Sequence, residues 1–235
     1  MNEKILIVGG SSGIGMATAQ LALDKNYDVI IASRSIDKLE KAKRALNHKN
    51  VNAHEVDTRD EKSIAQLFQS IGKINHLVIT GSEVQFGNIR NSTTEDAKNS
   101  FDSKFFGPFR MIKEALNFIE SNGSITLFSG AAGAKPRNGT EILSAINGAV
   151  DSFSRALAIS LSPIRVNSIA PGIIDTPVYE GIDDATKKLF KQFTDSILVK
   201  RMGHANEVAE AVLYLINNKY VTGTTMVVDG GYVVS

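Results

Sequence analysis

The residues best typed and spaced for chemistry come early. Gly9-Gly10-Ser11-Ser12-Gly13-Ile14-Gly15 follows the short apolar run Lys4-Ile5-Leu6-Ile7-Val8, and Met16 to Lys25 then reads as a helix. A strand, a glycine turn and a helix amino end together make an anion site. The turn brings backbone N–H groups close to a pyrophosphate, and the helix dipole favours its charge. Glycine belongs where a side chain would block that approach or where φ must be positive.

The tip of the next strand bears on which nucleotide is held. Tyr27-Asp28-Val29-Ile30-Ile31-Ala32 ends in Ser33-Arg34-Ser35, with no carboxylate before Asp37. An acidic residue there would accept a ribose 2′-hydroxyl and repel a 2′-phosphate. Arg34 instead offers a planar fork for phosphate, and Ser11, Ser12 or Ser33 add hydroxyls. NADP(H) is therefore expected in preference to NAD(H). The competing reading is a solvated Arg34 with Asp37 capping the following helix. Asp57, closing the third strand, either bonds the adenine amino group, positions the adjacent backbone at Thr58, or caps the helix after Thr58.

These residues must be held by the elements around them. Strands are predicted at 27–32, 51–56, 76–79, 124–128, 165–169 and 225–228 besides the first. Helices are predicted at 37–46, 61–71, 94–117 (with Pro108 inside), 141–161 and 207–217. Strand and helix alternate throughout, which implies an α/β fold: one parallel sheet, helices on both faces, right-handed crossovers. Ligands then bind beyond the carboxyl ends of the strands. No repeat or linker interrupts the pattern, so residues 1–235 are expected to form a single domain. The long irregular stretch Ile173–Arg201 suits a substrate lid, and its Tyr179, Phe190 and Phe193 suggest an apolar lining.

Composition narrows the class. A chain of 235 residues with 43% hydrophobic and 22% charged residues suits a soluble α/β domain. A net charge of +1 argues against nucleic-acid binding, and the absence of cysteine excludes disulfides and thiolate chemistry. Lys38, Lys41, Lys43 and Arg44 alternate with apolar residues at helical spacing, as on a solvated face. The histidines show no metal-ligand spacing, so no metal is expected. No signal peptide or apolar span of ~20 residues is evident, so a cytoplasmic protein is the expectation.

At this point the chain resembles the short-chain dehydrogenase/reductase family over nearly its whole length. Val8 to Gly15 is similar to the family's TGxxxGIG turn, with valine for threonine. Pro171-Gly172-Ile173-Ile174-Asp175-Thr176 is similar to its PG-xxx-T segment, which embraces the nicotinamide carboxamide and phosphate. Arg165-Val166-Asn167, Arg201-Met202-Gly203 with Glu207-Val208-Ala209, and Val228-Asp229-Gly230-Gly231 resemble further landmarks. The resemblance implies a Rossmann-type, doubly wound sheet of about seven strands. It also implies a homodimer or homotetramer acting on a small molecule. On the same grounds Gly9, Ser11, Ser12, Gly13, Ile14, Gly15, Ser33, Arg34, Asp57, Thr58, Thr80, Gly81, Pro171, Gly172, Ile174 and Thr176 are the expected cofactor contacts.

The family's catalytic landmarks do not carry over. Its Asn-Asn-Ala-Gly falls on Ile79-Thr80-Gly81-Ser82, and its helix asparagine on Lys104. Its serine falls on Gly130, with Ser129 adjacent, and its Tyr-xxx-Lys on Leu143 to Asn147. No tyrosine occurs between Tyr27 and Tyr179. Leucine can neither donate nor accept a proton. Lys104, placed by the resemblance on a pocket-lining helix, is the expected substitute: its ammonium stabilises a developing alkoxide or donates the proton, while Ser129 and Asn147 hold ribose, substrate or water. Alternatively Lys104 pairs with Asp102 or Glu141, or reaches a nucleotide phosphate.

Weaker candidates are Lys135 and Arg137, loop cations on the substrate side, and His204, expected at the surface before a helix capped by Asn206. Glu141 starts a helix after Thr140. Phe101, Phe105, Phe106 and Phe109 form a stripe suited to core or subunit contact. Two functions compete: an NADPH-dependent oxidoreductase with altered proton-donor chemistry, reducing a carbonyl, imine or enone, and an inactive NADP(H)-binding sensor or scaffold.

Overall fold

Apolar residues on both faces of each central strand force helices onto both sides of the sheet. In β1 (Lys4–Val8), Ile5 and Ile7 enter one core while Leu6 and Val8 enter the other. The computed structural model of the protein describes residues 2–85, 87–177 and 194–235. Its main sheet has seven strands in the order β3-β2-β1-β4-β5-β6-β9, and every pairing is parallel. The strands are β2 (Asp28–Ser33), β3 (Val51–Glu55), β4 (Ile74–Ile79), β5 (Ile119–Phe128), β6 (Arg165–Pro171) and β9 (Thr225–Val228). The fold is a Rossmann-type, doubly wound α/β sheet.

Helices α1 (Gly13–Asp24), α2 (Ile36–Leu46) and α7 (Ala205–Asn217) cover the face of Ile5, Ile7, Val29 and Ile31. Helices α3 (Glu61–Ile71), α4 (Thr94–Phe101), α5 (Gly107–Ala115) and α6 (Glu141–Ser160) cover the other, around Phe68, Leu77, Met111 and Ile125. Two short strands, β7 (Ile174–Asp175) and β8 (Gly203–His204), pair beside the main sheet.

Several local expectations need correction. The helix expected over 94–117 is three elements: α4, a π-turn from Asp102 to Phe106, and α5. The Gly107 N–H reaches back to the Asp102 carbonyl, and Pro108, having no N–H, cannot restore the α-helical ladder there. Strand β5 begins at Ile119, five residues before the predicted start. Ser35 caps α2, accepting from the Lys38 N–H at 3.4 Å, and Asp37 lies in the first turn instead. Asp60 rather than Asp57 caps α3, accepting from the Lys62 N–H at 2.9 Å. His204 rather than Asn206 caps α7, with its N–H on Glu207 Oε2 at 2.7 Å.

Of the expected lid, residues 178–193, including Tyr179, Phe190 and Phe193, lie outside the described residues. No described helix is long and apolar enough to cross a membrane.

Candidate functional site

β1 pairs with β2 on one side and β4 on the other, so the sheet's winding reverses at β1. The carboxyl ends of these strands diverge there into a crevice. Gly9 leaves β1 with φ +85°, and a side chain at this position would meet Thr80 Oγ1 at 2.6 Å. The Thr80 hydroxyl and N–H both donate to the Val8 carbonyl, at 3.0 and 2.9 Å. The loop after β4 is thereby locked against the glycine turn.

The result is a cleft of about 320 Å³. It gathers Gly9, Ser11, Ser12, Gly13, Ile14, Gly15, Ser33, Arg34, Asp57, Thr58, Thr80, Gly81 and Thr176 from five separate segments of the chain. Pro171, Gly172 and Ile174 do not line it. Gly172 donates its N–H to the Val228 carbonyl at 3.0 Å, and the Ile174 side chain is buried in the core beside α7.

Three features fit the cleft to an anion. Ser12 sits at the N-cap of α1 without making a side-chain cap bond, leaving first-turn N–H groups without that partner. The Ser33 hydroxyl oxygen is enclosed with no hydrogen-bond partner among the described residues. Arg34, Lys38 and Arg59 bring three cations to the same end. Arg34 is paired with Glu83, one arm at 3.3 Å and the other closer. This bond holds the Glu83 carboxyl below its ordinary pKa and raises that of Arg34. Arg59 stands 3.6 Å from Glu83 and 3.5 Å from Asp102, and Arg110 meets Asp102 at 2.5 Å.

Arg59, Glu83 and Ser103 line the cleft but escaped the sequence reading, and Lys38, expected on a solvated face, lines it too. Arg59, a cation directly after Asp57-Thr58, carried a signal. Glu83 carried none, because it meets Arg34 only through the tertiary fold. Asp57 accepts from the Arg59 N–H at 2.9 Å, so it shapes the turn after β3.

Lys104, Ser129 and Asn147 do not line this cleft, but Lys104 meets Ser129, and Asn147 lies beside Gly130. Lys104 occupies the π-turn and donates Nζ to the Ser129 carbonyl at 2.9 Å. It pairs with neither Asp102, which Arg59 and Arg110 engage, nor Glu141, whose Oε2 is buried without a hydrogen-bond partner among the described residues. Burial pushes the Lys104 ammonium down to about 8, opposed by the charge of Asp151. Ser129 is pinned to β6 through its N–H and hydroxyl, both on the Ile169 carbonyl at 2.9 and 3.3 Å. Asn147 is buried, and neither atom of its amide has a hydrogen-bond partner among the described residues. A side chain at Gly130 would fall 2.9 Å from its Nδ2.

The weaker candidates resolve differently. Lys135 donates to the Tyr232 carbonyl at 3.0 Å and lies 4.9 Å over that ring. Arg137 sits 5.1 Å from the same ring, so both loop cations are engaged by the C-terminal segment. Phe101 and Phe105 pack against the core, while Phe106 and Phe109 are exposed. No cluster of potential metal ligands occurs among the described residues.

The profile of the Enoyl-(Acyl carrier protein) reductase family matches residues 8–233. A "Short-chain dehydrogenase/reductase ATR9" from Stachybotrys chlorohalonatus is 30% identical over 243 residues, covering 97% of this chain and 96% of the relative. The chain belongs to the short-chain dehydrogenase/reductase family. A human family member, "3-oxoacyl-[acyl-carrier-protein] reductase", is 31% identical with 98% of each chain covered. A crystal structure of a small-chain dehydrogenase in complex with NADPH superposes with a TM-score of 0.82, at 32% identity and 100% coverage of both chains.

Proposed function

We propose that this chain is an NADPH-dependent oxidoreductase that acts on a small carbonyl-like compound and runs its proton chemistry through Lys104. The observation that carries the coenzyme assignment is the single cleft joining the open amino end of α1, the unpartnered Ser33 hydroxyl and Arg34. The NADPH held by a structural relative supports the same reading.

In this reading the Gly9–Gly15 turn holds the pyrophosphate. Ser33 and Arg34 hold the 2′-phosphate, and Asp57 with Thr58 meets the adenine. Thr80 and Gly81 back the middle of the coenzyme and Thr176 meets its nicotinamide end, while Pro171, Gly172 and Ile174 lie outside the cleft and shape the chain that leads to Thr176. Bound there, the coenzyme would supply a hydride.

Everything else falls to the chain's own groups. Leu143 stands where the family places its tyrosine, Gly130 where it places its serine, and Asn147 where it places its lysine. Lys104 Nζ offers a proton, or a positive charge, to an oxygen that becomes negative. An acidity near 8 suits a general acid working close to neutral pH. The free amide of Asn147 supplies a donor and an acceptor for ribose, substrate or a bridging water. Assembly into a homodimer or homotetramer belongs to the same reading, supported by exposed Phe106, Phe109 and Ile159 on the surface formed by the π-turn, α5 and α6.

Fluorescence titration with NADPH and NADH tests the assignment. Saturable binding that favours NADPH is expected. Folded protein that binds neither would refute it.

A further inference from the structure

We propose that the Glu83 carboxylate occupies, in the free protein, the place on Arg34 and Arg59 that the 2′-phosphate of the coenzyme takes, and so sets how strongly the phosphorylated form is preferred. The inference rests on the coenzyme assignment above.

Two guanidinium groups from different loops converge on this one carboxylate. Arg34 extends from the end of β2 and grips it with both arms, and Arg59 approaches from the loop after β3 at 3.6 Å. A planar fork facing an oxyanion is the geometry by which arginine also takes phosphate. The Ser33 hydroxyl and Lys38 border the same end of the cleft, so a larger anion with more oxygens would find partners that a carboxylate leaves unused.

A phosphate dianion cannot share this corner with an ionised carboxylate without like-charge repulsion. Glu83 must therefore swing away, and its anchoring permits that. Its N–H donates to Ser103 Oγ at 2.8 Å, and the Gln85 N–H donates to Ser100 Oγ at 3.0 Å. These bonds tie the loop backbone to α4 and the π-turn, leaving only the side chain to move. That side chain is 61% exposed and Arg34 48%, so solvent screens their pair and parting them costs little. NADH has no 2′-phosphate and leaves the pair intact.

The test compares wild type with Glu83→Gln by calorimetric titration of NADPH, NADH and 2′,5′-ADP, without turnover. The variant is expected to bind NADPH and 2′,5′-ADP roughly two- to fivefold more tightly, with NADH unchanged or weaker. Adding ~0.5 M salt should shrink the difference. Unchanged or weaker NADPH binding by a variant that melts like wild type would overturn the proposal. Wild type that binds no NADPH would instead strike the coenzyme assignment, and this inference with it.

Discussion

The Lys104 amine meets the Ser129 carbonyl at 2.9 Å from the middle of a π-turn. The extra residue in that turn breaks the helical ladder beside Pro108. The turn also carries Ser103 at the wall of the cleft, one residue from the buried cation. The nucleotide cleft and the amine are thus joined by a single covalent step.

Replacing Lys104 with Met should lower turnover by about 10²–10⁴, the usual worth of a positioned general acid, while NADPH affinity stays at the wild-type value. Steady-state rates and a coenzyme titration on the same preparation check this. Unchanged turnover would dispose of the catalytic role.

The acid form of Lys104 prevails below about 8. Carbonyl reduction should therefore decline as pH rises through that value, approaching tenfold per pH unit well above it. A pH–rate profile that is flat from 7 to 10 would contradict the assignment.

Stability should respond in the opposite direction. Between about 8 and the ordinary lysine value of 10.5, the unfolded chain binds a proton that folded Lys104 lacks. This group's contribution to stability is therefore present above 10.5 and is lost as pH falls through about 8. Relative to wild type, Lys104→Met should gain about 1–2 kcal/mol at pH 7 and little at pH 10.5, with the lost bond to Ser129 subtracted. Urea unfolding at the two pH values measures the difference.

Arg34→Gln should weaken NADPH binding roughly ten- to a hundredfold, the scale of a lost charge-assisted contact, and leave NADH binding nearly unchanged. Parallel titrations with the two coenzymes report it.

Asn147→Leu removes two buried amide atoms that have no hydrogen-bond partner among the described residues. It should raise stability by about 1–2 kcal/mol while lowering activity, a gain that marks a polar group kept for function. Thermal melts and rates on one preparation test both halves.

The sheet was legible because its signals are local. Ile5 to Val8, Val29 to Ala32 and Leu77 to Ile79 are apolar runs that end at turn residues, and Gly9 announces the sharp exit from β1. The start of β5 was not legible, because Glu120, Ser121 and Asn122 are exposed polar residues. The π-turn left one trace, Pro108 inside a helical stretch, which fixes that the ladder breaks but not where the extra residue goes. The Arg34–Glu83 pair joins residues 49 apart, beyond any periodicity. Ser35 and Asp60 won their caps over Asp37 and Asp57 because a cap must sit at the last extended residue before the first turn.

The most direct measurement follows deuterium from C4 of labelled NADPH into a panel of carbonyls, imines and enones. The account predicts label in the reduced product with wild type and its near absence with Lys104→Met. Wild type that binds NADPH tightly yet transfers no label across a broad panel would contradict the oxidoreductase assignment and leave a coenzyme-binding protein in its place.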